Sequence, residues 1–148
     1  MKLMTSNERK RRPRILIADD DAVVLYTMKQ ILEQHYEVVG EAADGQASIE
    51  LAVQLRPDVV LLDISMPVFS GIEAARRIRE SLPEIRIIIV SNHTSPIYVE
   101  EALKGGAHGY VVKGPAILQL PKAIDDVLNG CIFRPAQSGA PIEQSDLY

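Results

Sequence analysis

The stretch Asp58–Val59–Val60–Leu61–Leu62–Asp63 has no polar face. A strand shows alternate side chains to opposite sides of its sheet, so consecutive apolar residues mean that both sides are covered. That is the position of a central strand in a parallel sheet with helices on both faces. Other strand-like runs flank it: residues 14–19 first, then Glu37 to Ala43, with Ile85 to Val90 and Tyr110 to Val112 following. Helical patterns fill the gaps. Val24, Leu25, Met28, Ile31 and Leu32 stripe a helix over about residues 22–34, which Asp21 can cap. After the Asp44-Gly45 turn, Ala47, Leu51 and Leu55 stripe a second helix that Pro57 stops. Gly71 opens a third, with Ile72, Ala75, Ile78 and Leu82 in line before Pro83. Pro96 to Lys104 is a fourth, closed by Gly105-Gly106, and a last helix runs over about residues 120–129, before Gly130. Strands alternating with helices imply right-handed crossovers and an α/β, doubly wound parallel sheet. Residues 1–13 read as a flexible basic leader, 14–130 as one domain, and 131–148 as a C-terminal tail with little periodicity.

In such a sheet the carboxyl ends of the strands form the ligand-binding edge. Three strands deliver charge there. Arg14 to Ala18 runs into Asp19-Asp20-Asp21, the central strand ends at Asp63, and Gly109 to Val112 runs into Lys113. Asp21 suits the helix cap, and three acids in a row exceed what capping needs. Asp19 and Asp20 therefore remain for a metal, together with Asp63. Carboxylates about 4 Å apart repel by about 4 kcal/mol per pair at an effective dielectric of 20. One lysine does not offset that, whereas a hard divalent ion does. The all-oxygen donor set favours Mg²⁺ over zinc, and His35, His93 and His108 lack zinc-ligand spacing. An ionised carboxylate can also attack phosphorus. Asp63 is thus a passive ligand or a nucleophile, Lys113 an offsetting charge, and Ser91, after the fourth strand, a hydroxyl on the same edge.

Other classes are narrowed by composition. No apolar run approaches the roughly 20 residues of a membrane helix, and the polar, basic N-terminus lacks the apolar centre of a secretory signal. The single cysteine, Cys131, cannot form an internal disulfide, in keeping with a reducing cytoplasm. The net charge of −4 sets up no global field for nucleic acid. Lys10, Arg11, Arg12 and Arg14 form a local basic cluster, expected to be a solvated lead-in to the first strand.

Ile15-Leu16-Ile17-Ala18-Asp19-Asp20, Leu62-Asp63-Ile64-Ser65-Met66-Pro67, Gly71, Ser91 and Gly109-Tyr110-Val111-Val112-Lys113 stand in an order and spacing that resembles the receiver domain of two-component response regulators. The resemblance covers about residues 13–130, and the stretch from Ser91 to Lys113 is similar to receivers of the LuxR-type class. It implies a flavodoxin-like sheet of order 2-1-3-4-5. It implies that Asp63 accepts a phosphoryl group from a histidine kinase or phosphotransfer protein. Mg²⁺ would be held by Asp20, Asp63 and the backbone carbonyl of Ser65, with Asp19 helping through water. Lys113 would pair with the phosphate, Ser91 would swing to hydrogen-bond it, and Tyr110 would turn inward behind it. The fourth helix, fifth strand and fifth helix would form the face that binds a downstream protein, and a phosphorylation-dependent homodimer fits the same scheme.

The chain also departs from the family. Gly114 separates Lys113 from Pro115, where the family often has a cis Lys-Pro bond. A cis Lys113-Gly114 bond would cost about 2.5–4 kcal/mol, so trans is expected. Asn92 follows Ser91 where a small residue is common, and its bulk crowds the phosphoryl entrance. Ser65 and His93 stand where the family tunes the lifetime of the phosphate. The reading is a cytoplasmic phosphorylation switch that turns over no external substrate and binds no specific DNA itself. Its alternatives are a receiver fragment of a DNA-binding transcriptional regulator, a phosphate-independent receiver-like adaptor, and a small Mg²⁺-dependent aspartyl-phosphate phosphatase. Ser65 argues against the last, since it stands where such an enzyme needs a second acid.

Overall fold

A computed structural model describes residues 11–136. Lys10 and the rest of the expected leader before it, and the tail from residue 137 onward, lie outside the described residues. The strands are β1 (Arg14–Ala18), β2 (Glu37–Ala42), β3 (Val59–Leu62), β4 (Arg86–Ser91) and β5 (Gly109–Val112). The helices are α1 (Ala22–Leu32), α2 (Gly45–Leu55), α3 (Gly71–Ser81), α4 (Pro96–Lys104) and α5 (Leu120–Leu128). All strand pairs are parallel, in the order β2-β1-β3-β4-β5. This is the expected flavodoxin-like sheet, with β3 buried along its whole length at the centre.

The two faces of the sheet build two cores. Leu16, Val60, Leu62, Ile87 and Ile89 point to the side covered by α2, α3 and α4. Ile15, Ile17, Leu61, Ile88 and Val90 point to the side covered by α1 and α5. The period of two along each strand is therefore satisfied twice, once per face. Helix starts follow their capping side chains. Asp21 accepts from the Val23 N–H at 2.9 Å, Asp44 from the Ala47 N–H at 2.7 Å, and the Ser70 hydroxyl from the Glu73 N–H at 3.2 Å.

The last helix starts where expected, and a 3-10 turn over Pro115–Gln119 precedes it, because Pro115 and Pro121 each fix a first helical turn. Two expectations need correction. The tail does not begin at residue 131: Phe133 is buried and bridges in parallel to Gly109 on β5. The described part of the basic cluster is not simply solvated. Arg11 contacts both Asp58 carboxylate oxygens at 3.2 Å, and the Arg14 N–H donates to Asp58 at 2.7 Å. The Arg14 guanidinium donates to the carbonyls of Leu55 and Arg56 at the end of α2, and Arg12 to the carbonyl of Glu33 beyond α1. Cations suit helix C-termini, whose last carbonyls lack partners inside the helix.

At the edge opposite the charged strand ends, His108 accepts the Ile87 N–H on Nδ1 at 3.0 Å while its other ring nitrogen contacts Arg79. Burial, then the charges of Arg79 and Arg86, hold this imidazole down at about 4. The unfolded chain protonates near 6.5, before the folded one, so stability is full above that value and falls as the pH drops from about 6.5 toward 4. Discounted for partial exposure, the loss is about 1–2 kcal/mol. His108→Gln should flatten the drop in melting temperature between pH 7 and pH 5. Equal drops in both proteins would exclude His108 as its source.

Candidate functional site

The sheet register brings the charged residues together. Ala18 lies opposite Leu62, so Asp19 and Asp63 leave their strands side by side. The ladder continues one step past the strands: the Asp63 N–H donates to the Ala18 carbonyl at 3.1 Å and the Asp19 N–H to the Ala42 carbonyl at 3.0 Å. On the other flank Ser91 lies opposite Val112, and the Lys113 N–H donates to the Ser91 carbonyl at 2.9 Å. The ends of β1, β3, β4 and β5 thereby converge on one edge of the sheet.

Asp19 and Asp63 are buried and Asp20 is exposed, with one carboxylate oxygen of each lying within 4.8 Å of the others. Lys113 reaches into the cluster, its Nζ 2.7 Å from Asp19 Oδ2 and 3.4 Å from Asp63 Oδ2. The contact to Asp19 is a close ion pair, and that buried oxygen has no other donor among the described residues. The other Asp19 oxygen accepts from the Asp21 N–H at 2.9 Å. Burial and the Asp19 charge push the Asp63 carboxyl above its ordinary range, against the pull of Lys113 and the Ser65 N–H. Burial pulls the Lys113 ammonium down, but Asp19 and Asp63 outweigh it and hold the group above its usual value. The acids destabilise one another, and a buried Asp19 oxygen has Lys113 as its sole partner among the described residues. Both features, with an all-oxygen donor set, fit a hard divalent cation.

The loop after Asp63 is tightly folded. Ser65 is exposed at its start. The Gly71 N–H donates to the Ile64 carbonyl at 2.9 Å, and the Gly45 N–H to the Pro67 carbonyl at 3.1 Å, tying the loop to α2. A Cβ on Gly71 would stand 2.0 Å from the Asp63 carbonyl oxygen. Glycine is therefore required where α3 passes under the acid. At the turn of the loop Val68 has φ 72, a costly conformation for a β-branched residue.

Ser91 is fully buried, and its hydroxyl accepts the His93 N–H at 3.1 Å. Tyr110 is fully buried as well, and its hydroxyl donates to the His93 carbonyl at 2.7 Å. Burial, against the pull of Ser91, raises the Tyr110 phenol above its ordinary pKa. The ring expected to turn inward is thus already inside. Sequence reasoning missed a further piece of this wall: the His93 ring stacks on Tyr98 with centroids 4.1 Å apart, and its Nε2 lies 3.5 Å from the Ser65 hydroxyl. A histidine and a tyrosine five residues apart across a loop give no sequence signal of stacking. Asn92 is exposed beside this wall. The turn after Lys113 passes through Gly114 at φ 96, and the described residues contain no cis peptide bond.

Comparisons with known proteins agree with this geometry. The family described as response regulator receiver domain matches residues 15–125. The transcriptional regulatory protein MctR of Rhizobium johnstonii is 38% identical over 119 residues, 79% of this chain and 56% of that protein. A two-component response regulator of the LuxR family from an Aurantimonas species superposes with a TM-score of 0.79 at 34% identity, covering 82% of this chain and 89% of that one. The isolated receiver domain of RcsB from Salmonella enterica, solved with the phosphomimetic BeF3-, gives a TM-score of 0.77 at 32% identity over 84% of this chain and 94% of that one. The chain spans about half the length of the curated relatives it matches.

Proposed function

The chain belongs to the response regulator receiver family, and on that premise we propose that it is a phosphorylation switch in which Asp63 is the phosphoacceptor. The observation that carries this reading is the ionic cluster: a buried acid at the end of the central strand, beside two more acids and one partly buried lysine. An Asp63 carboxylate oxygen attacks phosphorus of a phosphohistidine on a sensor kinase or phosphotransfer protein. The new O–P bond makes an acyl phosphate, the P–N bond breaks, and the freed imidazole takes a proton from solvent. Lys113 offsets charge on the phosphoryl oxygens once Asp63 has reacted, and the Ser91 hydroxyl turns from His93 toward the phosphoryl group. Asp19, Asp20, Asp63 and the Ser65 backbone carbonyl would hold Mg²⁺, which supplies charge neutralisation at the transferring oxygens.

The output in this reading is a protein partner on the face of α4, β5 and α5, and a second copy of the chain is one candidate. The reaction is self-modification rather than turnover of an external substrate. No described helix is long and apolar enough to cross a membrane, which agrees with a cytoplasmic place. The relatives are named as transcriptional regulators, and the match covers about half of their length. The described residues should bind no DNA sequence-selectively, since Arg11 and Arg14 are engaged internally. A sequence-selective gel shift surviving physiological salt would overturn that, because phosphate contacts alone carry no sequence information.

The direct test of the switch is treatment with acetyl phosphate. One phosphoryl group per chain should appear by intact-mass spectrometry with Mg²⁺ and be lost with a chelator. A folded protein that stays unmodified with Mg²⁺ would favour the phosphate-independent adaptor.

A further inference from the structure

A five-stranded open sheet leaves β5 with a free edge, and this chain closes part of that edge with its own continuation. After α5 the backbone turns at Gly130, whose φ is 86, with nothing within 4 Å of the place a Cβ would take. The Cys131 N–H then donates to the Asp126 carbonyl at 2.9 Å. Phe133 runs beside Gly109: its N–H donates to the His108 carbonyl at 3.0 Å, and its carbonyl accepts the Tyr110 N–H at 2.9 Å. The Phe133 Cβ lies 3.2 Å from where a Cβ on Gly109 would stand, so a bare backbone at residue 109 admits the close approach. Arg134 reaches across to Glu100 on α4 at 2.8 Å.

Tyr110 therefore carries two links at once. Its hydroxyl holds the His93 carbonyl, in the loop that follows Ser91, and its amide holds Phe133. A second route leaves the same loop through α4, whose Glu100 holds Arg134. Any rearrangement of the loop reaches residues 131–134 by both paths. These residues are weakly held, by a few backbone hydrogen bonds, one buried ring and one exposed ion pair, and an exposed pair contributes little. Segments of this kind open well below the global unfolding energy, so a modest bias moves them.

We propose that residues 131–134 form a strap whose docking on β5 is coupled, through Tyr110, to the phosphorylation state of Asp63, and that the strap passes this state to the chain that follows it. The inference rests on the phosphoacceptor reading above. Its direction comes from the structure, in which an inward Tyr110 and a docked strap occur together. A phosphoryl group that recruits Ser91 and favours the inward ring therefore tightens the strap, as differential contacts with two states require.

The Tyr110 amide is a direct reporter, because its N–H points away from β4 and is held by the Phe133 carbonyl. Amide hydrogen exchange is measured on the full chain with Mg²⁺, with and without excess acetyl phosphate, and phosphoryl uptake is read by mass spectrometry on the same samples. Exchange at Tyr110 should slow about fivefold or more on phosphorylation, the lower end of ordinary coupling between sites. Arg134→Ala should speed exchange at Tyr110 while leaving phosphoryl uptake unchanged. Reversing both charges, with Glu100→Arg and Arg134→Glu, should restore the slow exchange. Full uptake with unchanged exchange at Tyr110 would remove the strap and leave the Asp63 assignment standing. Absence of uptake would remove the phosphoacceptor reading, and the strap's coupling to it.

Discussion

Asp63→Asn should take up no phosphoryl group from acetyl phosphate under conditions that label the wild type fully, and should melt at the same temperature or a few degrees higher without Mg²⁺. The amide matches the carboxylate in size but lacks the charged nucleophile, so the chemical step is lost while the packing around β3 survives. The stability half follows from the electrostatics of the acidic cluster. Burial and the neighbouring Asp19 charge both work against the ionised form of Asp63. An acid whose folded pKa is raised costs stability at every pH above that pKa, and a neutral side chain removes the cost. The loss of the 3.4 Å contact with Lys113 works in the opposite direction. Lys113 keeps Asp19 at 2.7 Å, however, so its partly buried ammonium is not left unpaired. Intact-mass spectrometry and a melting curve test both halves. Full labelling of the variant would move the phosphoacceptor elsewhere, and a clear fall in melting temperature would mean that the Lys113 contact outweighs the repulsion.

Gly71→Ala should be the most damaging single-methyl change near the site. The added carbon would stand 2.0 Å from the Asp63 carbonyl oxygen, 2.7 Å from its carbon and 3.1 Å from the Ile64 Cα. All three are backbone atoms, which cannot rotate away as the tip of a side chain can. Relief requires α3 to withdraw, breaking the bond from the Gly71 N–H to the Ile64 carbonyl, or Asp63 to shift. Overpacking costs about 1–3 kcal/mol, and a backbone clash belongs at the upper end, equivalent to a fall of about 10 °C in melting temperature. A displaced Asp63 should also slow phosphoryl uptake, since a misplacement of about 1 Å can cost about a hundredfold. Urea unfolding within about 0.5 kcal/mol of wild type, with normal labelling, would show that the helix accommodates the methyl group.

The sheet and the polar cluster were legible because they depend on local rules. Apolar runs of strand length, proline and glycine stops, and capping acids place the elements, and a parallel sheet then sends every strand end to one edge. What escaped depends on contacts far apart in sequence or on how a loop folds back. Phe133 carries no periodic signal, and only the bare backbone of Gly109 makes room for it. Arg11 and Arg14 look like a solvated charge run until the fold brings Asp58 and the end of α2 beside them. The His93–Tyr98 stack arises where the β4–α4 loop folds back, and nothing in the residue spacing announces that turn. Tyr110 was expected to turn inward as the switch operates, but its ring is already buried, held by the bond from its hydroxyl to the His93 carbonyl.

The clamp around Asp58 bears on where this domain can be cut. The family match runs from residue 15 to residue 125. An excision at those limits would discard Arg11 and Arg14, leaving the Asp58 carboxylate without its donors and the last carbonyls of α2 without their cation. At the other end it would remove the last turn of α5 and uncover the outer amide of Tyr110. The physical unit is longer than the recognisable one: one overhang holds Asp58 and the end of α2, and the other closes part of the free edge of β5.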